Sequence, residues 1–452
     1  MSGPNDPRLT AKSWWILFVV TTIYIYSWLD RQIIVMLVDP IKQELGLSDF
    51  AMSLVLGPAF GLCYVAFGIP LGWAADRFDR RWVILAGVLV WSAATTSSGL
   101  ASTFAMLFGA RMLVAVGEAA LTPAAHSLLA DSFPRKRLTT AMAVYSASTK
   151  VGSSLAYAVG GLLIAAFAAG AVGGHFLKGL SPWRRVFVFV GAPGVVLAAL
   201  ILTIGEPRRS AVRAAGPETG GIVRFMWAER RLFFPLLLGF CSVSIPSIAL
   251  QSWAPTYVGR HFGLSPGEYG PIIGLISALS ALAILFKGFV VDWLYARGVK
   301  DATLRFYTWL LAIFTPLAGI TFFLEDALSF LIAYGLVQVV AIPYGLYMAA
   351  TVQMVTPQAL RARASAVTLL AGNIASMTFG PTLVAALTDY VFRDPAKLGW
   401  SMAIVSVCGM GGALVLLRYA LRVLRPMLEA SGPDSVTGRS RRAPSFGGAP
   451  CP

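Results

Sequence analysis

Residues 72–81 read GWAADRFDRR and join two long apolar segments through a short, strongly charged stretch. Each flanking segment has about 20 residues, the length at which an apolar helix crosses a bilayer. A short basic connection between two such segments is typical of a loop between transmembrane helices on the cytoplasmic side. This stretch therefore indicates an integral membrane protein.

The same pattern extends in both directions along the chain. The 452 residues are 57% hydrophobic and only 13% charged, whereas roughly a quarter of a typical soluble domain is charged. Twelve apolar blocks leave little sequence beyond loops, which excludes a large extramembrane catalytic or nucleic-acid-binding domain. The predicted spans are 14–38, 52–72, 82–100, 104–126, 138–168, 184–204, 232–258, 269–292, 306–323, 328–354, 364–388 and 399–423.

The placement of basic residues predicts the orientation of the protein. The formal net charge is +15, and most Lys and Arg lie in the loops and tails on the side that carries both termini. By the positive-inside rule, we expect both termini in the cytoplasm of a multi-pass cell-membrane protein, in the inner or plasma membrane. The first block, residues 14–38, is too long for a signal-peptide core and is expected to remain as a helix.

A polar interruption divides the twelve spans into six and six. The sequence predicts an N-terminal six-helix bundle at residues 1–204, a cytoplasmic linker at 205–231, a C-terminal six-helix bundle at 232–424 and a disordered cytoplasmic tail at 425–452. Gly72 and Asp76 close the second span, and Gly288 and Asp292 close the eighth with the same spacing. Internal repeats of this kind are common in transporters.

Residues 72–81 resemble the cytoplasmic signature between the second and third helices of the major facilitator superfamily, and Gly288 and Asp292 repeat it weakly. The resemblance implies an all-α membrane protein with twelve transmembrane helices in two six-helix bundles. Gly72 would allow close helix approach. Asp76 would pair with a helix end or an arginine across the interface, and Arg77 and Arg80 would anchor to headgroups.

Further segments resemble the spinster-type branch of that superfamily: WLDR at 28–31, RMLVAVGEAA at 111–120, LADSF at 129–133, VGSSL at 151–155 and the pairs 160–161 and 380–381, with Asp389. The resemblance implies a proton-linked carrier whose eukaryotic relatives move lysophospholipids or phosphorylated sphingoid bases. Span five lacks the proline of the antiporter motif found in many drug exporters. A small organic or sugar acid, and multidrug export, remain alternative functions.

Ionisable residues inside the spans are the strongest functional signal, because each is costly to bury in a bilayer. Asp30 and Arg111 are predicted at matching depth, and Arg111 and Glu118 lie seven residues apart on one helical face. We hypothesise that Asp30 is the proton-coupling carboxylate, held against Arg111, and that its protonation loosens this pair. Arg31 would face the cavity as a charge partner or gate, and Glu118 would be a second titrating group or a counterion. A purely structural ion-pair cluster is the alternative.

The predicted substrate cavity combines charge in the first half with polar groups in the second. Lys150 would supply positive charge there or pair with Glu118, and Lys287 is expected to extend to the membrane surface. The remaining candidates are Thr122, Gln251, Gln338, Tyr344 and Asn373. This arrangement suits an amphiphile with an anionic head, although a small aromatic or sugar acid would fit it too.

Other functional classes find little support in the sequence. It contains no G-x-S-x-G, H-E-x-x-H or P-loop spacing, so we expect no enzyme, no catalytic residues and no cofactor. The histidines and cysteines suggest no metal site. The predicted energy source is the proton gradient, with sodium as the lesser possibility, and the expected partners are the lipid bilayer, protons and an anionic substrate, with no nucleic acid. A monomer is expected.

Overall fold

The computed structural model describes residues 9–171, 179–207 and 219–430, and the described chain is almost entirely helical. The helices of the first half are α1 (Ala11–Ile33), α2 (Val38–Leu45), α3 (Asp49–Leu56), α4 (Pro58–Arg77), α5 (Arg80–Ser98), α6 (Phe104–Ala119), α7 (Leu121–Ser132), α8 (Arg135–Ala168), α9 (Pro182–Gly191) and α10 (Gly194–Leu202). Those that follow are α11 (Thr219–Ala228), α12 (Arg230–Phe262), α13 (Pro266–Ala296), α14 (Ala302–Ile320), α15 (Ala327–Leu336), α16 (Gly345–Val355), α17 (Arg361–Ala386) and α18 (Leu398–Ala430).

These helices form the twelve predicted spans. Ten helical segments of the described chain are long and apolar enough to cross a membrane. The other two spans are α1 and α5, whose hydropathy is lowered by Trp, Tyr and Thr in α1 and by terminal arginines and hydroxyl residues in α5. The predicted fold class, twelve transmembrane helices in two six-helix bundles, is confirmed.

Several spans contain a break or a π-helical turn. Gly57 separates α3 from α4, and Pro193, which has no N–H to donate, separates α9 from α10. A π-helical turn at Val337–Ala341 follows α15, and another at Leu387–Phe392 extends α17. Such turns widen the backbone hydrogen-bond pattern and are frequent at functional sites.

Two of the predicted boundaries differ from the structure. α18 continues past residue 424 to Ala430, because Arg425 binds Asp301 at 2.7 Å and so holds the end of the helix against the C-terminal bundle. The linker contains α11, whose Ile222 packs with Val352 and Ala364 of that bundle. Linker residues 208–218 and the rest of the predicted tail, 431–452, lie outside the described residues.

The two bundles meet close to one end of the molecule. We call the end where α1 begins and α18 ends the terminal face, and the opposite end the far face. In the half of the molecule nearer the far face, Gly161 of α8 lies against Pro266 and Gly270 of α13. The contact is so close that a Cβ at residue 161 or 270 would collide with backbone atoms. Ser154 donates to the Gly274 carbonyl in the same contact, at 2.7 Å. Glycine therefore allows backbone-to-backbone packing where the bundles are closed.

Candidate transport site

Four charged side chains from two helices form a cluster inside the N-terminal bundle. They are Asp30 and Arg31 on α1 and Arg111 and Glu118 on α6. Asp30, Arg111 and Glu118 are each only 1% exposed. The predicted grouping of these residues is present, although one expected pairing, between Asp30 and Arg111, is not formed.

The expected ion pair between Asp30 and Arg111 is not formed, and this part of the hypothesis is wrong. The Thr95 hydroxyl of α5 donates to Asp30 Oδ2 at 2.5 Å. Asp30 Oδ1 and Arg111 Nε and Nη1 are buried and meet no hydrogen-bond partner among the described residues. The rotation of α1 turns Asp30 toward α5, so the carboxylate and the guanidinium share one cluster without direct contact.

Arg31 forms the direct ion pair of the cluster. Its Nη2 donates to Glu118 Oε2 at 2.6 Å, so Glu118 is the counterion of Arg31. The guanidinium carbon also lies 4.1 Å from the centre of the Phe60 ring and 4.6 Å from that of Trp28. Aromatic faces stabilise a desolvated cation, and here they hold Arg31 in one position.

The cluster is connected to the contact between the bundles through α4. The Arg31 guanidinium lies over the Phe60 ring, and the next residue, Gly61, packs against Met377 of α17. Thr122, a predicted cavity residue, lies beside the cluster, 3.4 Å from the hydroxyl of Tyr64. A change in the charge of the cluster would therefore act within one residue of the inter-bundle contact.

Three of the predicted cavity residues come together at the interface between the bundles. Lys150 of α8, Gln251 of α12 and Gln338 of the first π turn line a small cavity of about 30 Å³. Tyr157 of α8 donates to the Gln251 carbonyl at 3.1 Å, which connects the two bundles at the wall of this cavity. Gln338 Nε2 donates to the hydroxyl of Tyr334 at 2.7 Å.

Two other predicted cavity residues lie outside this pocket. Tyr344 is half-buried and precedes α16, just after the π turn. Asn373 is exposed and lies one helical turn before Met377, on the face of α17 that contacts α4. Asn373 thus lies on the terminal side of the closed contact.

Lys287 does not extend to the membrane surface as predicted. It is 4% exposed, and its ammonium group donates to the Val339 carbonyl at 2.6 Å. The physical reason is the π turn, which leaves a carbonyl available to a side-chain donor. Lys287 thus adds a buried cation in the C-terminal bundle, across the interface from Lys150.

The far face is closed by a group of charged residues that was not predicted from the sequence. Arg260 at the end of α12 binds Asp39 of α2 at 2.6 Å and Asp49 of α3 at 2.8 Å. Lys42 also binds Asp49 at 2.8 Å, and the backbone N–H of Phe50 donates to Asp389 at 2.7 Å. Within the described residues, the ion pairs between bundles are both made by Arg260. The available signal was a pair of aspartates in the first outer loop, Asp39 and Asp49, and an arginine, Arg260, at the outer end of the seventh span.

Two arginines of the signature at residues 72–81, Arg80 and Arg81, bind acids of their own bundle. Arg80 is buried and does not contact headgroups as predicted: it binds Asp131 and Glu206 at 2.6 Å each and donates to Ser127 at 2.8 Å. Hydrogen bonds from Arg81 hold the pKa of Asp79 below its usual value.

The other signature residues lie at the surface of the terminal face. Gly72 makes an ordinary contact with Pro123, Asp76 is exposed, and Arg77 lies over the Trp73 ring at 5.0 Å. In the second half, Gly288 and Asp292 line a cavity of about 410 Å³ that also includes Arg361. The repeat therefore occurs at corresponding places in both bundles.

Comparison with known proteins identifies relatives over most of the chain. A sequence profile of the Major Facilitator Superfamily matches residues 20–381. An MFS-type efflux pump of Mycolicibacterium smegmatis (strain ATCC 700084 / mc(2)155) is 28% identical over 429 residues, covering 93% of this chain and 92% of the pump. Protein spinster homolog 1 of Bos taurus is 28% identical over 280 residues, covering 60% of this chain and 50% of that protein.

A solved structure is similar to most of the chain. A bacterial homologue of the human lysosomal transporter Spinster, in an inward-facing and unoccupied conformation, superposes with a TM-score of 0.74 at 24% identity, covering 94% of this chain and 98% of that one.

Proposed function

The chain belongs to the Major Facilitator Superfamily, and on this premise we propose that it is a proton-coupled carrier of an anionic amphiphile such as a lysophospholipid. It is a multi-pass membrane transporter of the alternating-access type, related to the spinster proteins. Proton coupling and the lipid substrate are the proposed part. The charged cluster around Asp30 carries this proposal.

The cluster contains two acids and two bases, so its formal charges cancel when all four are ionised. Protonation of Asp30 leaves one uncompensated positive charge in the cluster. A cluster with net positive charge attracts an anion more strongly, so proton binding and anion binding favour each other. Since Asp30 makes no direct ion pair with a described residue, a proton can be added without breaking the pair between Arg31 and Glu118.

The cavity walls support an anionic head with an apolar tail. Lys150 brings positive charge to the cavity, and Ile273, Ile276 and Ile342 supply apolar surface to it. Lys287 adds a buried positive charge behind this lining, bound to the carbonyl of Val339. Gln251 and Gln338 add neutral hydrogen-bonding groups. Charged groups around a head and aliphatic groups around a tail are what an amphiphile requires of a binding site.

The contacts between the bundles support one conformation of an alternating-access cycle, in which the far face is closed. The far face is closed by Arg260 and by the glycine contact of α8 and α13, while Asn373 on the terminal side of the interface is exposed. We place the terminal face in the cytoplasm, as the basic loops predict, so this conformation opens inward. Transport then requires that the Arg260 pairs break while the terminal ends of the bundles approach.

The experiment is proton flux in liposomes that contain the purified protein, measured with and without lysophospholipid. We expect lysophospholipid to induce proton flux in the wild type and Asp30→Asn to lose this response. The matched control is Glu325→Gln, an exposed carboxyl in the far loop before α15, which should keep the response. Intact lipid-driven flux in Asp30→Asn would refute the coupling role.

A second candidate function is export of amphiphilic drugs, favoured by the efflux pump that is 28% identical over 93% of this chain. The same liposomes distinguish the two candidates. Flux induced by lipophilic drugs but not by lysophospholipid would favour export of drugs. A response to small organic or sugar acids alone would replace the lipid by a soluble anion and keep the carrier mechanism.

A further inference from the structure

A strongly basic groove lies between α14 and α18 on the terminal half of the C-terminal bundle. Its volume is about 200 Å³. The groove shares no lining residue with the small cavity between the bundles, so the two are separate. The polar and aromatic residues that line it are Arg305, Thr308 and Trp309 of α14 and Arg418, Arg422 and Arg425 of α18.

Helical spacing places these side chains on facing surfaces. Arg418, Arg422 and Arg425 follow one another at intervals of four and three residues, which puts them on one face of α18. Arg305 and Trp309 are four residues apart on α14. Two helices thus present one continuous basic surface to a single groove.

The groove lies at the level of the lipid headgroups. At about 1.5 Å per residue, Arg418 is about 30 Å along α18 from Leu398, and the hydrocarbon core of a bilayer is about 30 Å thick. Arg422 and Arg425 lie further toward the terminal face. Trp309 is 49% exposed beside them, and Trp is enriched at the boundary between membrane and water.

One carboxylate partly neutralises the groove and fixes its shape. Asp301 binds Arg305 and Arg425 at 2.7 Å each. Although burial opposes its ionisation, hydrogen bonds from Arg425 and Arg305 hold the pKa of Asp301 below its usual value, so the carboxylate stays charged. Four guanidinium groups against this carboxylate leave a formal excess of three positive charges.

Part of the hydrogen-bonding capacity of the arginines is unused. Arg305 Nε is buried and meets no acceptor among the described residues. Arg418 and Arg422 form no ion pair with any described carboxylate. Guanidinium groups held close together repel one another unless an anion lies between them, and their planar donors match a phosphate group.

We propose that this groove binds the phosphate group of an anionic phospholipid from the leaflet at the terminal face. The headgroup would lie among Arg305, Arg418 and Arg422, and the acyl chains would run along the lipid-facing surfaces of α14 and α18. Basic pockets between transmembrane helices bind anionic headgroups in this manner. The inference does not depend on which substrate the central cavity transports.

The test is native mass spectrometry of the purified, delipidated full-length protein titrated with phosphatidylglycerol and, separately, phosphatidylcholine. We expect tighter binding of phosphatidylglycerol to the wild type. The double variant Arg418→Gln/Arg422→Gln should lower the apparent affinity for phosphatidylglycerol about tenfold. The matched control is Arg230→Gln/Arg231→Gln, which removes two exposed arginines from the start of α12 at the same face.

The outcomes separate the possible ligands. Equal binding of the two lipids, or an equal loss in the control variant, would overturn the proposal. Displacement of phosphatidylglycerol by inorganic phosphate at matched concentration would assign the groove to free phosphate and also overturn it. If the double variant melts well below the wild type, Arg422→Gln alone replaces it, and unchanged phosphatidylglycerol affinity in that folded variant counts against the site.

Discussion

The two bundles bury charge near the central cavity in opposite ways. The N-terminal bundle places acids and bases together, with Arg31 and Glu118 in direct contact and Asp30 and Arg111 beside them. In the C-terminal bundle, Lys287 instead donates to a backbone carbonyl, and two glutamines of this bundle line the cavity. The N-terminal arrangement can exchange a proton and change its net charge, whereas the C-terminal one holds a positive charge in place. We infer that coupling belongs to the first bundle and attraction of the anion to both.

Glu118→Gln should have the largest effect, because it removes one partner of a buried ion pair. Breaking such a pair typically costs about 3–5 kcal/mol. We expect a clearly lower midpoint of thermal unfolding in detergent and loss of transport. In the double variant Arg31→Gln/Glu118→Gln, the midpoint of unfolding should recover in part. A midpoint as low as in Glu118→Gln would mean that the unpaired Arg31 charge is not the cause of the lost stability.

Lys287→Met tests the opposite arrangement and should mainly affect binding. It leaves the Val339 carbonyl without its donor, at a cost of about 1–3 kcal/mol, but leaves no unpaired charge behind. We expect the affinity for the anionic substrate to fall about tenfold, with a smaller loss of stability than in Glu118→Gln. The control is Lys300→Met, an exposed lysine near the terminal face. An unchanged affinity would show that Lys287 has only a structural role.

The pH dependence of substrate binding should distinguish the two bundles. Protonation of Asp30 adds one positive charge to the N-terminal cluster, so the affinity for an anion should rise as the pH falls, by less than about tenfold. Binding titrations in mildly acidic and mildly alkaline buffers should show this change in the wild type and in Lys287→Met. They should show none in Asp30→Asn, and a change retained there would assign the proton to another group.

The smallest effect is expected where the two bundles meet, at Arg260. In Arg260→Gln, Asp49 keeps its contact with Lys42 and the glycine contact of α8 and α13 is unchanged. We therefore expect only a several-fold shift toward conformations open at the far face. Distances between spin labels across that face measure the shift, with Lys397→Gln as an exposed control. No shift would mean that glycine packing alone holds the far face closed.

The sequence was sufficient for the fold because helix length and apolarity are local properties. It also placed Asp30, Arg111 and Glu118 near one another, since depth follows from counting residues along a helix. It did not predict which pairs form, because pairing depends on how α1 is rotated against α5 and α6. Arg31, one residue from Asp30, forms the ion pair with Glu118, while Asp30 binds Thr95.

Other features were out of reach because they depend on tertiary contacts. The sequence of residues 337–341 does not predict a π turn. The burial of Lys287 depends on that turn, because its ammonium group donates to the Val339 carbonyl there. The basic residues of the signature were expected at the surface, yet Arg80 finds two acids that lie 51 and 126 residues further along the chain. Loop residues such as Arg260 become informative only once the bundles are assembled.

A rocking movement transmits force only through parts that do not deform. Arg80 stands at the start of the third span and binds the fourth span through Asp131 and the end of the sixth through Glu206. One side chain thus braces three helices at the end of the bundle that lies far from the inter-bundle contact. The N-terminal bundle can therefore rotate as a rigid body, so that a displacement of helices beside Phe60 also moves the opposite end of the bundle.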